Sequence, residues 1–350
     1  LAEGAGVYEG GALAGGRNGV RLLTSAELHE AVSLPEVVEM VERGYRARAD
    51  GTLVATPREQ LRAEGTGTFI NVTPALSPGL GWAVVFAYTG GNRGAGVPQK
   101  LALVFRTADG GLAGMIESDW LSWARTGATG AVATRHLARP GTLTLGVFGS
   151  GKQARAQVAA ISAVRDLRQV LVYSRDPERR QRFADEVTAD YGVETIPAGR
   201  PEEVLEAADV VSTATNSRVP VFDGALLRPG THVNAIGQHY PDRRELDDRA
   251  IVDSEVFVDS RERALLEEGE LLIPMAAGLI DASHVRASLG EVVTGRHPGR
   301  TSPSQTTVLL SGGTAEEYLA VAGGVLECAI DKGIGTTVAV GSRWPGQGGA

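Results

Sequence analysis

The stretch Leu143–Gln157, LTLGVFGSGKQARAQ, decides how the chain is read. Alternating apolar residues run into Gly149-x-Gly151-x-x-Ala154, and a helical apolar spacing follows at Ala154, Val158, Ile161 and Val164. A strand, a tight glycine turn and a helix start in this order cradle a dinucleotide pyrophosphate. Gly149 makes the turn, Gly151 admits the phosphates, and Ala154 lets helix and sheet approach. Ser150, Lys152 and Gln153 complete the loop, whose helix N-terminus offers free N–H groups and a positive dipole end. A structural turn in an α/β sheet is the competing reading.

Downstream, the text alternates strand and helix: 143–148, 153–164, 169–173 and 177–191, then strands near 209–214, 231–236 and 255–258. Such alternation predicts a parallel sheet with ligands at the carboxyl ends of its strands. The fold class is thus α/β, a Rossmann-type nucleotide domain over residues 140–313. Upstream, capping boxes at Thr24-x-x-Glu27 and Ser33-x-x-Glu36 open two helices. Short β-like runs follow between residues 69 and 116, then a helix carrying Leu121, Arg125, Ala128 and Val132. Residues 19–139 therefore read as a mixed α+β domain. A helix opened by Thr314-x-x-Glu317 is expected to return to it, completing it over 314–340, and residues 1–18 read as a loose leader.

Bulk properties narrow the class. A net charge of −8 without a basic run argues against nucleic acid as partner. No segment is long and apolar enough to span a bilayer, and no signal-peptide layout precedes the first domain. The single cysteine, Cys328, excludes an intrachain disulfide and fits a reducing, cytoplasmic setting. His29, His136, His284 and His297 lack metal-ligand spacing, and His232, inside a strand, reads as structural. Asp242, Glu245, Asp247 and Asp248 read as a solvated turn and helix cap, with Glu245 able to bond His239 or its loop.

At the end of the second strand of the nucleotide domain an acidic residue would hold both adenosine ribose hydroxyls. Here Ser174-Arg175-Asp176 stands instead. Arg175 can pair with a 2′-phosphate, which favours NADP, or stack on adenine, which tolerates NAD too. Asp176 falls where it can cap the next helix. Thr213, Thr215, Asn216 and Ser217 follow a strand where a ribose or nicotinamide passes, while Asn234 and Gly237 end the next strand.

TPREQ (56–60), the ARTGA core at 124–128, GSGKQARAQ, YSRDPERR, STATNSRVPVF, GTHVNAIG and LGEVVTGRHPGR together make the chain resemble the ornithine cyclodeaminase / mu-crystallin family. The resemblance runs from about residue 20 to 340. It implies a homodimer formed through the first domain, residues 19–139, as substrate and dimerisation domain, and nicotinamide-dependent chemistry on small amino or imino acids. It also implies that Arg58 and Arg125 hold the substrate carboxylate, for which a guanidinium fork is suited. Two positions depart. Aligned through Thr73-Pro74-Ala75 and Gly81-Trp82, the family's lysine falls on Ala83, and its catalytic aspartate falls on His239. His239 can relay protons. Lys100 either substitutes for the missing lysine or faces solvent. Leu310 replaces a side chain that is often polar, while Gly312 and Gly313 offer the nicotinamide side close backbone contact.

The leading expectation is an NAD(P)-dependent reductase or dehydrogenase acting on a small imine or amino acid with a carboxylate. A cyclodeaminase that recycles its cofactor internally is the alternative. A nucleotide-binding protein without turnover is the third, motivated by Ala83.

Overall fold

The structure, a computed structural model, describes residues 19–90 and 100–340. The leader read at 1–18 lies outside the described residues. The chain begins with β1 (Gly19–Leu23), α1 (Ser25–Ala31) and α2 (Leu34–Ala49). Both helices carry the expected capping boxes, Thr24 with Glu27 and Ser33 with Glu36. Next come β2 (Val54–Ala55), β3 (Glu59–Arg62), β4 (Phe69–Ser77), β5 (Trp82–Gly90), β6 (Lys100–Arg106), β7 (Leu112–Glu117) and α3 (Asp119–Leu137).

The second sheet follows: β8 (Leu143–Phe148), α4 (Lys152–Ser162), β9 (Leu167–Tyr173), α5 (Pro177–Tyr191), β10 (Thr195–Pro197), α6 (Pro201–Ala207), β11 (Val210–Thr213) and β12 (His232–Ala235). It continues through α7 (Asp248–Val252), β13 (Glu255–Val258), α8 (Arg261–Glu267), α9 (Gly269–Ala276), β14 (Val285–Ser288), α10 (Leu289–Val293) and β15 (Thr307–Leu310). The chain then returns to the first sheet with α11 (Ala315–Asp331) and β16 (Thr336–Ala339).

The second sheet is wholly parallel, in the order β10-β9-β8-β11-β12-β15-β13-β14. The order reverses direction at β8, between β9 and β11, and opens a crevice at the carboxyl ends. β8 is buried at every residue, as a central parallel strand must be. Expectation marked neither β10, β14 nor β15. β10 and β14 are sheet-edge strands of three and four residues with polar or proline positions, TIP and VRAS, and β15 is a buried run of four.

The first sheet runs β16-β1-β7-β6-β5-β4-β2, with β3 on the edge of β4. Its two faces differ sharply. On β4, Asn71, Thr73, Ala75 and Ser77 are buried while Ile70 and Leu76 are exposed. The inner face meets α11, whose Tyr318 stacks on Phe86 with ring centroids 3.8 Å apart. The outer face is apolar and, among the described residues, uncovered at Ile70, Leu76 and Leu101.

The two sheets join through α3 and α4. A side chain at Gly127 would strike Ala156 O, and one at Gly130 would strike the amide of Gln157. Gln157 Nε2 in turn donates to Thr126 O at 2.9 Å. Small residues in ARTGATGA thus let the two helices touch backbone to backbone, which carries Arg125 toward the glycine turn.

Candidate active site

The turn after β8 has the geometry of a phosphate cradle. Gly149 adopts φ 112°, and a Cβ there would lie 2.5 Å from Ala214 O, so no side chain fits. Gly151 caps α4, and a Cβ on it would meet no protein atom within 4 Å. The open space belongs to whatever approaches the helix N-terminus. Ser150 Oγ donates to Ser174 Oγ at 3.1 Å, linking this turn to the end of β9. A cleft of about 720 Å³ runs from here past Arg175 and Arg179 to Thr215, Asn216 and Val219. Arg175 is exposed and has no ion-pair partner among the described residues. Asp176 caps α5 through Glu178 N and Arg179 N, as its position suggested. Gly149, Gly151 and this cleft fit a dinucleotide.

Beyond the cleft, Ser311–Thr314 crosses between the sheets, and Asp259 holds it. Asp259 Oδ2 accepts from Ser311 Oγ, Gly312 N and Gly313 N at 3.0, 3.0 and 2.9 Å. Its Oδ1 accepts from Ser260 N at 2.6 Å and from Arg263 Nε and Nη2 at 3.2 and 2.7 Å. Both glycines leave room for cations. A Cβ on Gly312 would strike the Arg263 guanidinium and come within 2.9 Å of His239 Cβ; one on Gly313, at φ 87°, would strike Arg125. Arg58 Nη2 donates to Gly312 O at 3.2 Å. Three guanidiniums and one imidazole therefore surround two glycines.

The arginines are not equivalent. Arg125 Nη1 donates to Glu317 Oε2 and Nη2 to the Tyr318 hydroxyl, both at 2.8 Å. Burial opposes its charge, but Tyr318 and Glu317 outweigh burial and raise its pKa. Arg263 is buried between Asp259 and Glu268, which likewise outweigh desolvation. Arg58 has no carboxylate partner among the described residues.

His239 lies largely buried, stacked on Tyr240 with centroids 4.8 Å apart. Burial, followed by Arg58, Arg263 and Arg125, presses its pKa down to about 3, against the pull of Asp259. It is neutral near pH 7. Its loop rests on Glu245, whose carboxylate accepts from Gly237 N, Thr213 Oγ1 and Thr215 N at 2.8, 2.9 and 2.7 Å. Glu245 is fully buried, not part of a solvated turn; burial raises its pKa. Only Asp247 of that group caps a helix, α7.

Several anticipated contacts are placed elsewhere. Asn234 is buried, with Nδ2 donating to Thr134 Oγ1 at 3.1 Å and Oδ1 3.0 Å from His232 Nε2. It faces the core and α3, not the cleft, as does His232, whose Nδ1 lies 2.9 Å from Thr307 Oγ1. Thr213 turns to Glu245, leaving Thr215 at the cleft. Ala83 pairs with Leu76 and Phe105 on the outer face of the first sheet, so it is no site position at all. Side chains alternate along a strand, so Trp82 and Val84 on either side of Ala83 face inward while Ala83 faces out.

Lys100 is correspondingly not a neighbour of Ala83. It opposes Tyr88, five residues along β5, in an inner-face row Gln60, Asn71, Tyr88, Lys100 that spans four strands. Lys100 Nζ lies 3.8 Å from Asp119 and 5.9 Å from the Tyr88 ring centroid. Burial lowers its pKa, Asp119 opposes, and Arg125 and Lys152 lower it further. It thus stands within the field of both halves of the site. The sequence singled out neither Asp259 nor Arg263, nor Gln60, Asn71 and Tyr88 beside Lys100, and offered Glu317 only as a helix cap, because what these residues brace or face lies far along the chain.

With that geometry in place, comparison with known proteins is informative. Residues 19–333 match the ornithine cyclodeaminase/mu-crystallin family. The chain is 30% identical over 322 residues to a delta(1)-pyrroline-2-carboxylate reductase of Bacillus cereus, covering 91% of this chain and 99% of that one. It superposes on Thermococcus litoralis delta(1)-pyrroline-2-carboxylate reductase, solved with NADH and L-proline, with a TM-score of 0.86 and 32% identity, over 91% and 100% of the two chains. An archaeal alanine dehydrogenase dimer with bound NAD gives a TM-score of 0.84 at 28% identity, over 91% and 99%. This protein belongs to the ornithine cyclodeaminase/mu-crystallin family and is an NAD(P)-dependent oxidoreductase.

Proposed function

We propose that the protein reduces the C=N bond of a small imino acid, such as delta(1)-pyrroline-2-carboxylate, and returns the amino acid. The convergence of Arg58, Arg125, Arg263 and His239 on Gly312 and Gly313 carries this reading. Its cationic end suits a carboxylate and its imidazole suits proton transfer. The named activities of the Bacillus and Thermococcus relatives support the same chemistry.

The nicotinamide cofactor, when bound, supplies the hydride that adds to the imine carbon. Gly149, Ser150, Gly151, Lys152, Gln153 and Ala154 hold its pyrophosphate, with Thr215, Gly237 and Gly312 along its path. Ser174 and the unpartnered Arg175 favour the 2′-phosphate of NADP. Arg58, uncompensated, takes the substrate carboxylate, and Arg125, fixed by Glu317 and Tyr318, orients it. His239 gives a proton to the imine nitrogen, since a protonated imine accepts hydride more readily. Lys100, its pKa lowered, serves as a second proton carrier beside Tyr88. Two molecules pair through the outer face of the first sheet, where Leu61 is 71% and Val54 62% exposed. Cys328, half-buried and unpaired, suits a cytoplasmic setting.

The test is direct. Purified protein is given NADPH or NADH with delta(1)-pyrroline-2-carboxylate, and cofactor oxidation is followed. Reduction with NADPH preferred is the expected result. Release of ammonia from ornithine without net cofactor change would instead show a cyclodeaminase, and tight nucleotide binding without turnover a binding protein.

A further inference from the structure

His239 sits in a position that should disable it as an acid. No hydrogen bond to its ring is formed among the described residues, and its nearest ring partner is Tyr240. Arg58, from the segment before β3, bonds Gly312 O; Arg263, from α8, and the His239 side chain both face the Cα of the same glycine, and Arg125, from α3, faces Gly313. Two of these carry their own counter-charges: Glu317 on Arg125, and Asp259, Glu267 and Glu268 around Arg263. Underneath, Glu245 and Glu270 support the loop, Glu270 Oε1 accepting from Glu245 N at 2.8 Å. One positive charge, that of Arg58, is left over beside the imidazole.

We infer that the substrate's own carboxylate converts His239 into an acid, so that the enzyme protonates only imines that bring an anion with them. The inference rests on the imine-reducing assignment of the site. An anion seated on Arg58 removes the charge that repels a proton from the ring. Opposite charges within about 4–6 Å shift pKa values by about 1–3 units. Burial, the larger cause of the ring's depression, stays when the anion binds, so the anion undoes the share of Arg58 and raises the ring's affinity for a proton without restoring a free imidazole. The balance is simple. The imine carbon gains hydride and its nitrogen gains the proton from the imidazolium. The imidazole is left neutral and the cofactor oxidised. When the carboxylate leaves with the amine, the ring loses its affinity for a new proton. Selectivity for imino acids over neutral imines then lies in the acid as well as in binding.

The experiment reads the ring itself. The full chain, labelled with ¹⁵N-histidine and saturated with NADP, is titrated by NMR, and the His239 signal is identified by its loss in His239→Asn. Acetate and L-proline are expected to raise the His239 pKa by about two units, while L-prolinamide leaves it unmoved. Arg58→Gln should raise the ring's pKa in the empty site and abolish the response to acetate, a pattern that simple loss of packing would not produce. In turnover, 1-pyrroline should react about 100-fold more slowly than its 2-carboxylate at saturation, and added acetate should recover about tenfold. An imidazole that titrates alike with and without any of these carboxylates overturns the inference. If delta(1)-pyrroline-2-carboxylate is still reduced in that case, the assigned reaction stands alone. A shifting imidazole without reduction of any imine would retain the coupling and remove the reaction.

Discussion

Arg58 and Arg125 flank the same two glycines, yet replacing them should have unlike effects. Arg58 is half-exposed and loses only a backbone contact, so Arg58→Met should raise KM for the imino acid on the order of 50-fold, the worth of a charge-assisted bond. Stability and NADPH affinity should stay unchanged. Arg125→Met strands Glu317, which is fully buried, and should cost about 3–5 kcal/mol of stability as well as activity. Thermal unfolding beside steady-state kinetics separates the two. At the other end of the cleft, Arg175→Ala should lower the preference for NADPH over NADH about tenfold, read from KM for each cofactor. These three residues were visible as single letters in the sequence. Arg263 was not: its partners Asp259 and Glu268 are near in sequence, but what they brace, Gly312, is fifty residues away.

At the level of elements, the register of β5 determines what the sequence reading could not. Strand, turn and helix of the glycine segment were legible because each has its own period. Which face of β5 looks inward depends on pairing with β4 and β6, and pairing is not written in any one strand. The structure therefore withdraws Ala83 from the site and sets Lys100 beside Tyr88. Two outcomes follow. Ala83→Lys should leave turnover unchanged while weakening the proposed dimer, since it puts a charge among Leu76 and Phe105. Sedimentation of that variant, with Leu101→Asp as a second probe of the same face, checks it. Gly149→Ala, in contrast, should abolish cofactor binding, because its backbone conformation and the 2.5 Å approach to Ala214 O both forbid a methyl group.

Across the whole molecule, buried titratable groups set opposed dependences on pH. His232 and His239 have pKa values near 3 when folded, against 6.5 when free, so the unfolded chain binds their protons first as pH falls. Burial lifts Glu268 and Glu316 to about 7, against 4.5 when free, so the folded chain holds their protons longer as pH rises. Between pH 4.5 and 6.5 these two pairs cancel, and Glu245, Glu270 and Glu327, whose pKa values burial also raises, leave stability declining as pH rises. Below 4.5 the two histidines cost stability by up to about 2.7 kcal/mol per pH unit toward pH 3, and carboxylates held low by hydrogen bonds, Glu27, Glu36, Glu42 and Glu291, add to the fall. Between 6.5 and 7 the carboxylates alone differ, and stability should decline slightly as pH rises. Urea unfolding across this range checks the profile. In Glu316→Gln the slope between pH 4.5 and 6.5 should change by about 1.4 kcal/mol per unit relative to the parent, in favour of higher pH.

Glu317 caps its own helix through Thr314, accepts from the Tyr45 hydroxyl at 2.6 Å and fixes Arg125, a residue 192 positions earlier. Synthesis runs from the amino end, so the glycine turn and its sheet are translated before this glutamate exists. A nascent chain halted ahead of residue 317 holds the strands that cradle the nucleotide, but its Arg125 has no anchor. The guanidinium beside Gly313 is thus fixed only after α11 has been made, and truncation ahead of residue 317 removes its carboxylate partner.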